Sequence, residues 1–432
     1  MGINVGELNE GVSIIGVGAT PFGDVMSTPV MQGMTERELV SWAAIEAMED
    51  AGIESKDIDA FYLGMVLDET LSRTLGGSGA FSDWLGMRNK PGFHHEIACA
   101  TSLAGLRHAV LSVASGIHRI VITANVETTL SRPCENMPAH IRERLPEGEL
   151  FEKAFYTADA AYWHPSGSSL GMLFDSNAIS YGKKYGLTLE QLDDVMIECA
   201  INNRHNALMN PLATMVSKEY SEEAKERGFD DPRKYLKSRF NPRFGSVARM
   251  AFASIPVDGA SAVIVCPTKL AKKLVSQPIE VIGLGSTAES FIHESNASPQ
   301  NFDQEAFRQA YQMARINDPY REIQYTSIHD CTICHQFISS EGAGYFRPGE
   351  AYQAILDGRT RIDGDKPMNS SGGRTAVGHA FAASGGAEIA ETVRQMRGEC
   401  GKRQVKNIPE TSVVHTLGGG AHTCVTVLRK SM

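Results

Sequence analysis

The same order of strands and helices occurs twice along the chain. An apolar run closed by glycines at residues 12–18 predicts a buried strand, and a helix is expected from Thr35, where Thr35 and Glu38 have capping-box spacing. Residues 279–285 and 305–314 repeat this strand and this helix. Alternating strands and helices are typical of parallel βαβ units whose helices cover a sheet. The repeat therefore predicts an α/β fold with a duplicated core.

Further strands and helices alternate in each half, and a stretch of different composition interrupts the first half. The predicted strands are 59–66, 119–124 and 258–265 in the first half and 323–328 and 412–417 in the second, with helices at 99–115 and 384–397. Residues from about 130 to 250 are richer in polar and charged side chains and in proline, which predicts a large insertion. We expect an N-terminal half over residues 1–270, including that insertion, and a C-terminal half over residues 271–432.

Composition and charge exclude several classes of protein. Hydrophobic residues make up 42% and charged residues 21%, a globular mixture, and 41 basic against 51 acidic residues leave a net charge of −10. Such a balance disfavours nucleic acid as a partner. No apolar run reaches the roughly 18–20 residues of a membrane span, and neither a signal-peptide pattern nor a disulfide pattern of cysteines is present. We expect a soluble cytoplasmic enzyme that binds neither nucleic acid nor membrane.

A cysteine stands where a helix is expected to begin. Small residues surround Cys99 in the run Ala98-Cys99-Ala100-Thr101-Ser102. Exposed N–H groups and the helix dipole favour a thiolate at such a position, and a tight turn would present the sulfur to a pocket. A buried structural cysteine is the alternative, and it is the more common fate of a lone cysteine.

Three further segments carry residue types suited to chemistry. Cys331-x-x-Cys334-His335 has the form of a c-type haem attachment motif, but the chain shows no export signal and no second Cys/His pair for zinc, so we expect neither metal nor haem. A glycine-rich loop leads to His379 just before a helix of small residues. The strand at His415 ends in three glycines, a turn whose N–H groups can face a developing oxyanion.

The order and spacing of these segments resemble the thiolase superfamily over essentially the whole chain. Asn369-Ser-Ser-Gly-Gly…Gly378-His379 is similar to the family's asparagine–glycine loop and Gly-His-Pro block, with Ala380 where proline is usual. His329-Asp330-Cys331 matches the His-Asp-Cys block of the sterol-carrier-protein-type thiolases. Thr416 replaces the family's second catalytic cysteine, and in that branch Cys331 takes over the acid/base role. The resemblance implies a duplicated thiolase fold with a five-layered αβαβα core.

The resemblance also implies a reaction: thiolysis of a β-ketoacyl-CoA, or the reverse Claisen condensation. Cys99 would be the nucleophile and His379 its base, and Cys331 would protonate the leaving carbon. The N–H groups of Cys99 and Gly418 would form one oxyanion hole, and His329 with His379 would form the other. Coenzyme A would be a substrate, and the family implies a homodimer. Cys334, His335, His415 and Cys424 are assigned no chemistry.

Several expectations are less specific. A basic segment, within which Lys234, Lys237, Arg239 and Arg243 lie, is either a phosphate clamp for coenzyme A or a solvated helix face. Arginines 132, 142 and 144 in the insertion would meet an acidic or bulky substrate, or only solvent. Related chains work with a small partner carrying an OB fold and a zinc ribbon, and one such system suggests an aromatic substrate such as benzoylsuccinyl-CoA. The alternatives are a retro-aldol lyase acting on a hydroxyacyl-CoA without an acyl-cysteine, and a non-catalytic acyl-CoA- or lipid-binding protein.

Overall fold

A computed structural model describes residues 10–66, 77–128, 170–288, 303–419 and 422–431, together with Gly6 and Leu8. Much of the expected insertion, including Arg132, Arg142 and Arg144, lies outside the described residues. The described strands are β1 (Val12–Ala19), β2 (Ala60–Gly64), β3 (Gly92–His95), β4 (Val121–Thr128), β5 (Asp258–Pro267), β6 (Ile279–Ala288), β7 (Tyr325–Ser327), β8 (Thr411–Gly418) and β9 (His422–Lys430). The described helices are α1 (Glu36–Ala51), α2 (Gly77–Trp84), α3 (Thr101–Ala114), α4 (Leu170–Tyr185), α5 (Leu189–Leu208), α6 (Tyr220–Glu226), α7 (Pro232–Lys237), α8 (Thr268–Leu274), α9 (Gln304–Ala314), α10 (Pro319–Glu322), α11 (His335–Gly342), α12 (Ala351–Leu356), α13 (Gly373–Val377) and α14 (Phe381–Arg397).

The duplication predicted from the sequence is visible in the sheet. Its nine strands run in the order β3-β2-β4-β5-β1-β6-β9-β8-β7. In the first half, β2 is parallel to β4, which pairs antiparallel with β5, which pairs antiparallel with β1. The second half repeats this with β7, β8, β9 and β6. The two halves join where the first residues of β1 and β6 pair.

The sheet is mixed, whereas strand–helix alternation alone predicts a parallel one. A helical crossover returns the chain in the same direction, and the neighbouring strands that are parallel are β2 with β3, β2 with β4, and β7 with β8. Strand β9 begins four positions after β8 ends, and the two strands pair antiparallel. The expectation of a parallel sheet was therefore wrong for four pairs of neighbouring strands. These antiparallel pairs are β4 with β5, β5 with β1, β6 with β9, and β9 with β8.

Matching glycines pack a helix onto the equivalent strand of each half. A Cβ atom placed on Gly18 would lie 2.1 Å from the backbone oxygen of Ala43 in α1, and one on Gly285 would lie 1.8 Å from that of Ala306 in α9. Both strands also carry a register shift a few residues earlier. Only glycine permits this contact, because any side chain would overlap the helix backbone. The two halves therefore share their helix–sheet packing as well as their strand order.

The helices α3 and α14 form the middle layer of the fold. One hydrophobic cluster joins them to strands of both halves, while α1 and α9 cover the outer faces. Helix α14 is buried on almost every side, which agrees with the small residues Ala383, Gly385 and Gly386 along its first turns. This arrangement is the five-layered core expected from the sequence. The first turns of both central helices bring the segments just before them towards one another.

The boundaries of the predicted elements agree closely with the structure. Helix α1 begins after Thr35 with the expected capping box to Glu38 and ends at Gly52, whose φ of 64° is left-handed. Helix α9 begins one residue before the expected Glu305 and ends at Ala314 as predicted. None of the helices in the described ranges has the length and apolar character needed to cross a bilayer.

Candidate active site

Cys99 lies in a tight turn immediately before α3. The Thr101 hydroxyl accepts a hydrogen bond from the Ile97 N–H (3.0 Å) and donates one to the Ala98 carbonyl (2.6 Å). Ala98 has a φ of 52°, a left-handed conformation that costs energy for a residue with a Cβ atom. The helix itself begins at Thr101, two residues later than expected. The turn, rather than the helix, therefore sets the position of the Cys99 sulfur.

The surroundings of the Cys99 sulfur favour the thiol over the thiolate. Burial, with a smaller contribution from the charge of Glu127, raises the pKa of this thiol to about 12, while a hydrogen bond from the Gly419 N–H acts in the opposite direction. The expectation of a thiolate favoured by the helix dipole was wrong, because loss of solvent outweighs these dipoles. A base must therefore remove the proton before or during nucleophilic attack.

His379 follows a backbone bend at Gly378, whose φ is 99°. Its own N–H donates to the Ile255 carbonyl (2.9 Å), and its carbonyl accepts from the Val257 N–H (3.2 Å), so the histidine is fixed by its main chain. The Ser384 hydroxyl lies 2.7 Å from the His379 Nδ1 atom and 2.9 Å from the Ala380 carbonyl oxygen. Since the hydroxyl has one proton to give to that carbonyl, it accepts the Nδ1 proton of His379. The lone pair of the imidazole is then on Nε2.

The side chains of Cys99, His329 and His379 form one cluster. One ligand-type atom from each lies within 4.8 Å of the others, and the two imidazole rings are 5.1 Å apart at an angle of 65°. Burial lowers the pKa of His379 to about 3, and burial together with the neighbouring imidazole lowers that of His329. These shifts favour the uncharged thiol and the uncharged imidazoles in this cluster.

Cys331 lies next to this group and is also a thiol. Its pKa is raised well above its usual value, first by burial and then by the neighbouring Cys99 and Asp330. The Ser254 N–H donates to the Cys331 carbonyl (2.8 Å), next to the Ile255 carbonyl that binds His379. One segment thus holds the backbones of both Cys331 and His379. The structure brings all four residues that were expected to carry the chemistry into one region.

Asp330, between His329 and Cys331, is a hub that the sequence did not reveal. Its fully buried carboxylate accepts hydrogen bonds from the side chains of Asn203 and Gln336 (both 2.7 Å) and from the Arg374 N–H (2.5 Å). A Cβ atom on Gly373 would lie 2.2 Å from an Asp330 oxygen, so glycine is needed there. The carboxylate ties the insertion helix α5, the helix α11 and the start of α13 to the segment that carries His329 and Cys331.

Asn369 hydrogen-bonds the backbone of Ile328, the residue just before His329. Its amide accepts from the Ile328 N–H (2.8 Å) and donates to the Ile328 carbonyl (2.9 Å), and its backbone is left-handed with a φ of 51°. Behind it, the buried Glu388 of α14 accepts from Ser371 (3.0 Å) and pairs with Arg374. Sequence reasoning found the Asn-Ser-Ser-Gly-Gly loop through its family resemblance but missed these partners, which are distant in sequence.

The strand end at Gly418 lies against the Cys99 turn. A Cβ atom on Gly418 would be 2.2 Å from the Ile97 carbonyl oxygen, and the following residue, Gly419, hydrogen-bonds the Cys99 sulfur. Glycine is therefore required where β8 reaches the nucleophile. This contact places the backbone expected to form an oxyanion hole beside Cys99.

The basic segment lies in and after α7, and most of its charges are already paired. Lys234 contacts Asp230 (3.0 Å), Lys237 contacts Asp194 (2.6 Å), and Arg243 contacts Asp193 (3.0 Å). Arg239 instead lies over the ring of Phe240, 5.3 Å from its centre. The structure thus keeps these four residues in the insertion, apart from the cluster of Cys99, His329 and His379.

Comparison with known proteins defines the family. The Thiolase, N-terminal domain family matches residues 12–269, and the Thiolase C-terminal domain-like family matches residues 283–430. An acetyl-CoA acetyltransferase of Methanothermobacter thermautotrophicus is 31% identical over 415 residues, covering 95% of this chain and 97% of that protein. The benzoylsuccinyl-CoA thiolase subunit BbsB of Thauera aromatica is 25% identical over 422 residues, with 96% of each chain covered.

Solved structures show the same fold. An Ltp2-ChsH2(DUF35) aldolase has a TM-score of 0.73 at 21% identity, covering 98% of this chain and 99% of that one. The human mitochondrial 3-ketoacyl-CoA thiolase has a TM-score of 0.68 at 15% identity, covering 98% and 100%. The protein belongs to the thiolase family. It is an acyltransferase with the duplicated thiolase fold, and coenzyme A is a substrate of its family.

Proposed function

We propose that this enzyme transfers an acyl group between carbon and coenzyme A through an acyl-cysteine at Cys99. The observation that carries the proposal is the convergence of Cys99, His329 and His379 within 4.8 Å, with Cys331 adjacent. A nucleophile beside a base that is itself oriented by a third group is the arrangement needed for covalent acyl transfer. In this chain the third group is the Ser384 hydroxyl.

Acylation begins with proton transfer from Cys99 to His379. Both groups are neutral at rest, so no ion pair has to be maintained in a buried site, and the thiolate forms only as it attacks the substrate carbonyl. The N–H groups of Cys99 and Gly418 stabilise the tetrahedral oxyanion. Collapse of this intermediate breaks the carbon–carbon bond and leaves the acyl group on the sulfur.

The leaving fragment is the enolate of an acyl-CoA thioester. His329 and His379 donate hydrogen bonds to its oxygen, and the Cys331 thiol gives its proton to the carbon. Burial and the charge of Asp330 keep Cys331 protonated, which suits an acid. In the second half of the cycle, Cys331 accepts the proton of the incoming coenzyme A thiol, which then takes the acyl group from Cys99.

The phosphates of coenzyme A are proposed to bind to Arg227 and Arg239, which lie over the ring of Phe240. The guanidinium groups of Arg227 and Arg239 lie 5.0 and 5.3 Å from its centre, and neither makes an ion pair with a described residue. Two guanidinium groups without a carboxylate partner among the described residues suit the phosphates of coenzyme A. Lys234, Lys237 and Arg243, each already paired with a carboxylate, are weaker candidates.

Substrate and partners are proposed more broadly. The relatives include both an acetyl-CoA acetyltransferase and a benzoylsuccinyl-CoA thiolase subunit, so acetyl and aromatic acyl groups both belong in the substrate panel. One relative is a subunit of a thiolase and one structural neighbour is the Ltp2-ChsH2 aldolase, which supports a partner protein for this chain. We propose that this partner is a small protein with an OB fold and a zinc ribbon. A cytoplasmic location is also proposed. A homodimer is proposed because the edge strand β3 exposes Phe93 and can pair with another strand.

The test is incubation of the purified protein with β-ketoacyl-CoA and acyl-CoA esters, followed by peptide mapping by mass spectrometry. An acyl group on Cys99 that is absent in His379→Ala supports the proposal, and the best donor narrows the substrate. The test is repeated with the co-expressed partner. If hydroxyacyl-CoA is cleaved without an adduct, the retro-aldol alternative holds; if acyl-CoA binds with no turnover, the protein is a binding protein.

A further inference from the structure

The centre of the active site also has the composition of a metal site. The ligand-type atoms of Cys99, His329 and His379, one sulfur and two imidazole nitrogens, lie within 4.8 Å of one another. Both imidazoles are at least 97% buried, and the Nε2 atom of each has no hydrogen-bond partner among the described residues. Two buried nitrogens are therefore available beside a thiol.

This donor set suits zinc. Zinc binds cysteine sulfur and histidine nitrogen in tetrahedral geometry, with bonds of about 2.0–2.3 Å, which places its ligand atoms about 3.4 Å apart. Closing the group from at most 4.8 Å to that spacing requires a contraction of the order of 1 Å, within the reach of side-chain rotation. Three protein ligands leave the fourth position open, as in zinc sites that exchange a ligand.

The Cys-x-x-Cys-His motif in the sequence is a different place. Cys334 belongs to the hydrophobic core around α11, where its thiol donates to the Thr332 hydroxyl (3.8 Å). Of that motif, only Cys331 lies beside the cluster, and its sulfur is not part of the group within 4.8 Å. The residues at ligand spacing are instead contributed by the Cys99 turn, the segment after β7 and the loop before α14.

We propose that Cys99, His329 and His379 form a reversible zinc site in the free enzyme, and that the bound metal inhibits acyl transfer. Binding forms one zinc–sulfur and two zinc–nitrogen bonds, and the thiol proton of Cys99 passes to the buffer. The inhibitory role rests on the proposed function, because the metal occupies the nucleophile and its base. Substrate and metal therefore exclude one another, and a chelator restores activity.

The metal site is tested first by binding, which requires no turnover. Metal-free protein is titrated with Co²⁺ as a spectroscopic probe, and Zn²⁺ is then added to displace it. We expect a thiolate-to-metal charge-transfer band that saturates at one equivalent, is lost in Cys99→Ser and His379→Ala, and is retained in Cys334→Ser. Absence of the band, its survival in Cys99→Ser, or its loss in Cys334→Ser would overturn the assignment.

Inhibition is tested separately with the wild-type enzyme. One equivalent of Zn²⁺ should lower thiolysis about tenfold or more, because the nucleophilic sulfur is then bound to the metal. EDTA should restore the rate, and acyl-CoA added before the metal should protect it. Full activity with the site saturated would refute the inhibitory role. If the Co²⁺ band appears but metal-free enzyme transfers no acyl group, the metal site stands and the proposed function fails.

Discussion

Removal of the Ser384 hydroxyl tests how the base is oriented. In Ser384→Ala, the Nδ1–H of the fully buried His379 loses its acceptor at 2.7 Å, and the tautomer with its lone pair on Nε2 is no longer favoured. A buried donor left unpaired costs about 1–3 kcal/mol. If that cost falls on the reactive tautomer, acylation of Cys99 slows by about 5- to 150-fold.

The assay is the single-turnover rate of Cys99 acylation, measured by rapid quench and intact-protein mass spectrometry. Ser261→Ala is the matched control, since it removes an equally buried hydroxyl that donates to the neighbouring Ala383 carbonyl (2.7 Å) without touching His379. Both variants should lose similar unfolding free energy, and only Ser384→Ala should lose acylation rate. Equal acylation rates in the two variants would refute the role given to Ser384.

Three other perturbations probe the hub, the packing and the buried titratable groups. Asp330→Asn should slow the α-proton exchange of acetyl-CoA, which needs Cys331, more than it slows Cys99 acylation. Glu341→Gln, at a buried carboxylate in α11, should leave the ratio of the exchange rate to the acylation rate unchanged. Gly285→Ala should lower the free energy of unfolding by about 3 kcal/mol, because the new Cβ atom overlaps a carbonyl of α9, whereas Gly79→Ala in open space should not. Acidification from pH 6.5 towards 4 should destabilise the protein by about 1.4 kcal/mol per pH unit for each imidazole that only the unfolded chain can protonate. These imidazoles, with pKa lowered by burial, are His95 (to about 4), His335, His379 and His415 (to about 3), and His329.

Each of these outcomes has a measurement that can contradict it. Deuterium incorporation into acetyl-CoA reports exchange, and an unchanged ratio in Asp330→Asn would mean that the hub does not position Cys331. Urea unfolding gives the two stability comparisons. Burial raises the pKa of Asp303 to about 7 and also raises that of Asp330, so the protons that these carboxyl groups hold in the folded state oppose the effect of the histidines. Constant stability between pH 6.5 and 5 would show that the buried imidazoles are not neutral.

The sequence was sufficient for the duplicated fold because the evidence for it is local. Glycine-closed strands, the capping box at Thr35 and the helix ending at Gly52 each depend on neighbouring residues. Strand direction was harder to predict, since nothing within a strand states whether its neighbour in the sheet is joined through a helix or a turn. The four residues expected to carry the chemistry came from the family resemblance, which local sequence alone could not replace.

The features of the site that the sequence did not predict depend on contacts between segments that are distant in sequence. Asn203 reaches Asp330 across 127 positions, and the Gly419 amide meets a cysteine about 320 positions earlier. The protonation state of Cys99 was mistaken for a related reason. Proximity to a helix start is visible in the sequence, whereas the loss of solvent around the sulfur arises only when both halves of the fold close over it.

A nucleophile kept as a thiol has a consequence for survival in an oxidising environment. Peroxide and electrophiles react with thiolates far faster than with thiols, and sulfinic and sulfonic acids form irreversibly. With its pKa near 12, Cys99 offers almost no thiolate to such agents while the site is empty. The proton that His379 must remove in each cycle therefore also slows oxidation of the sulfur between cycles.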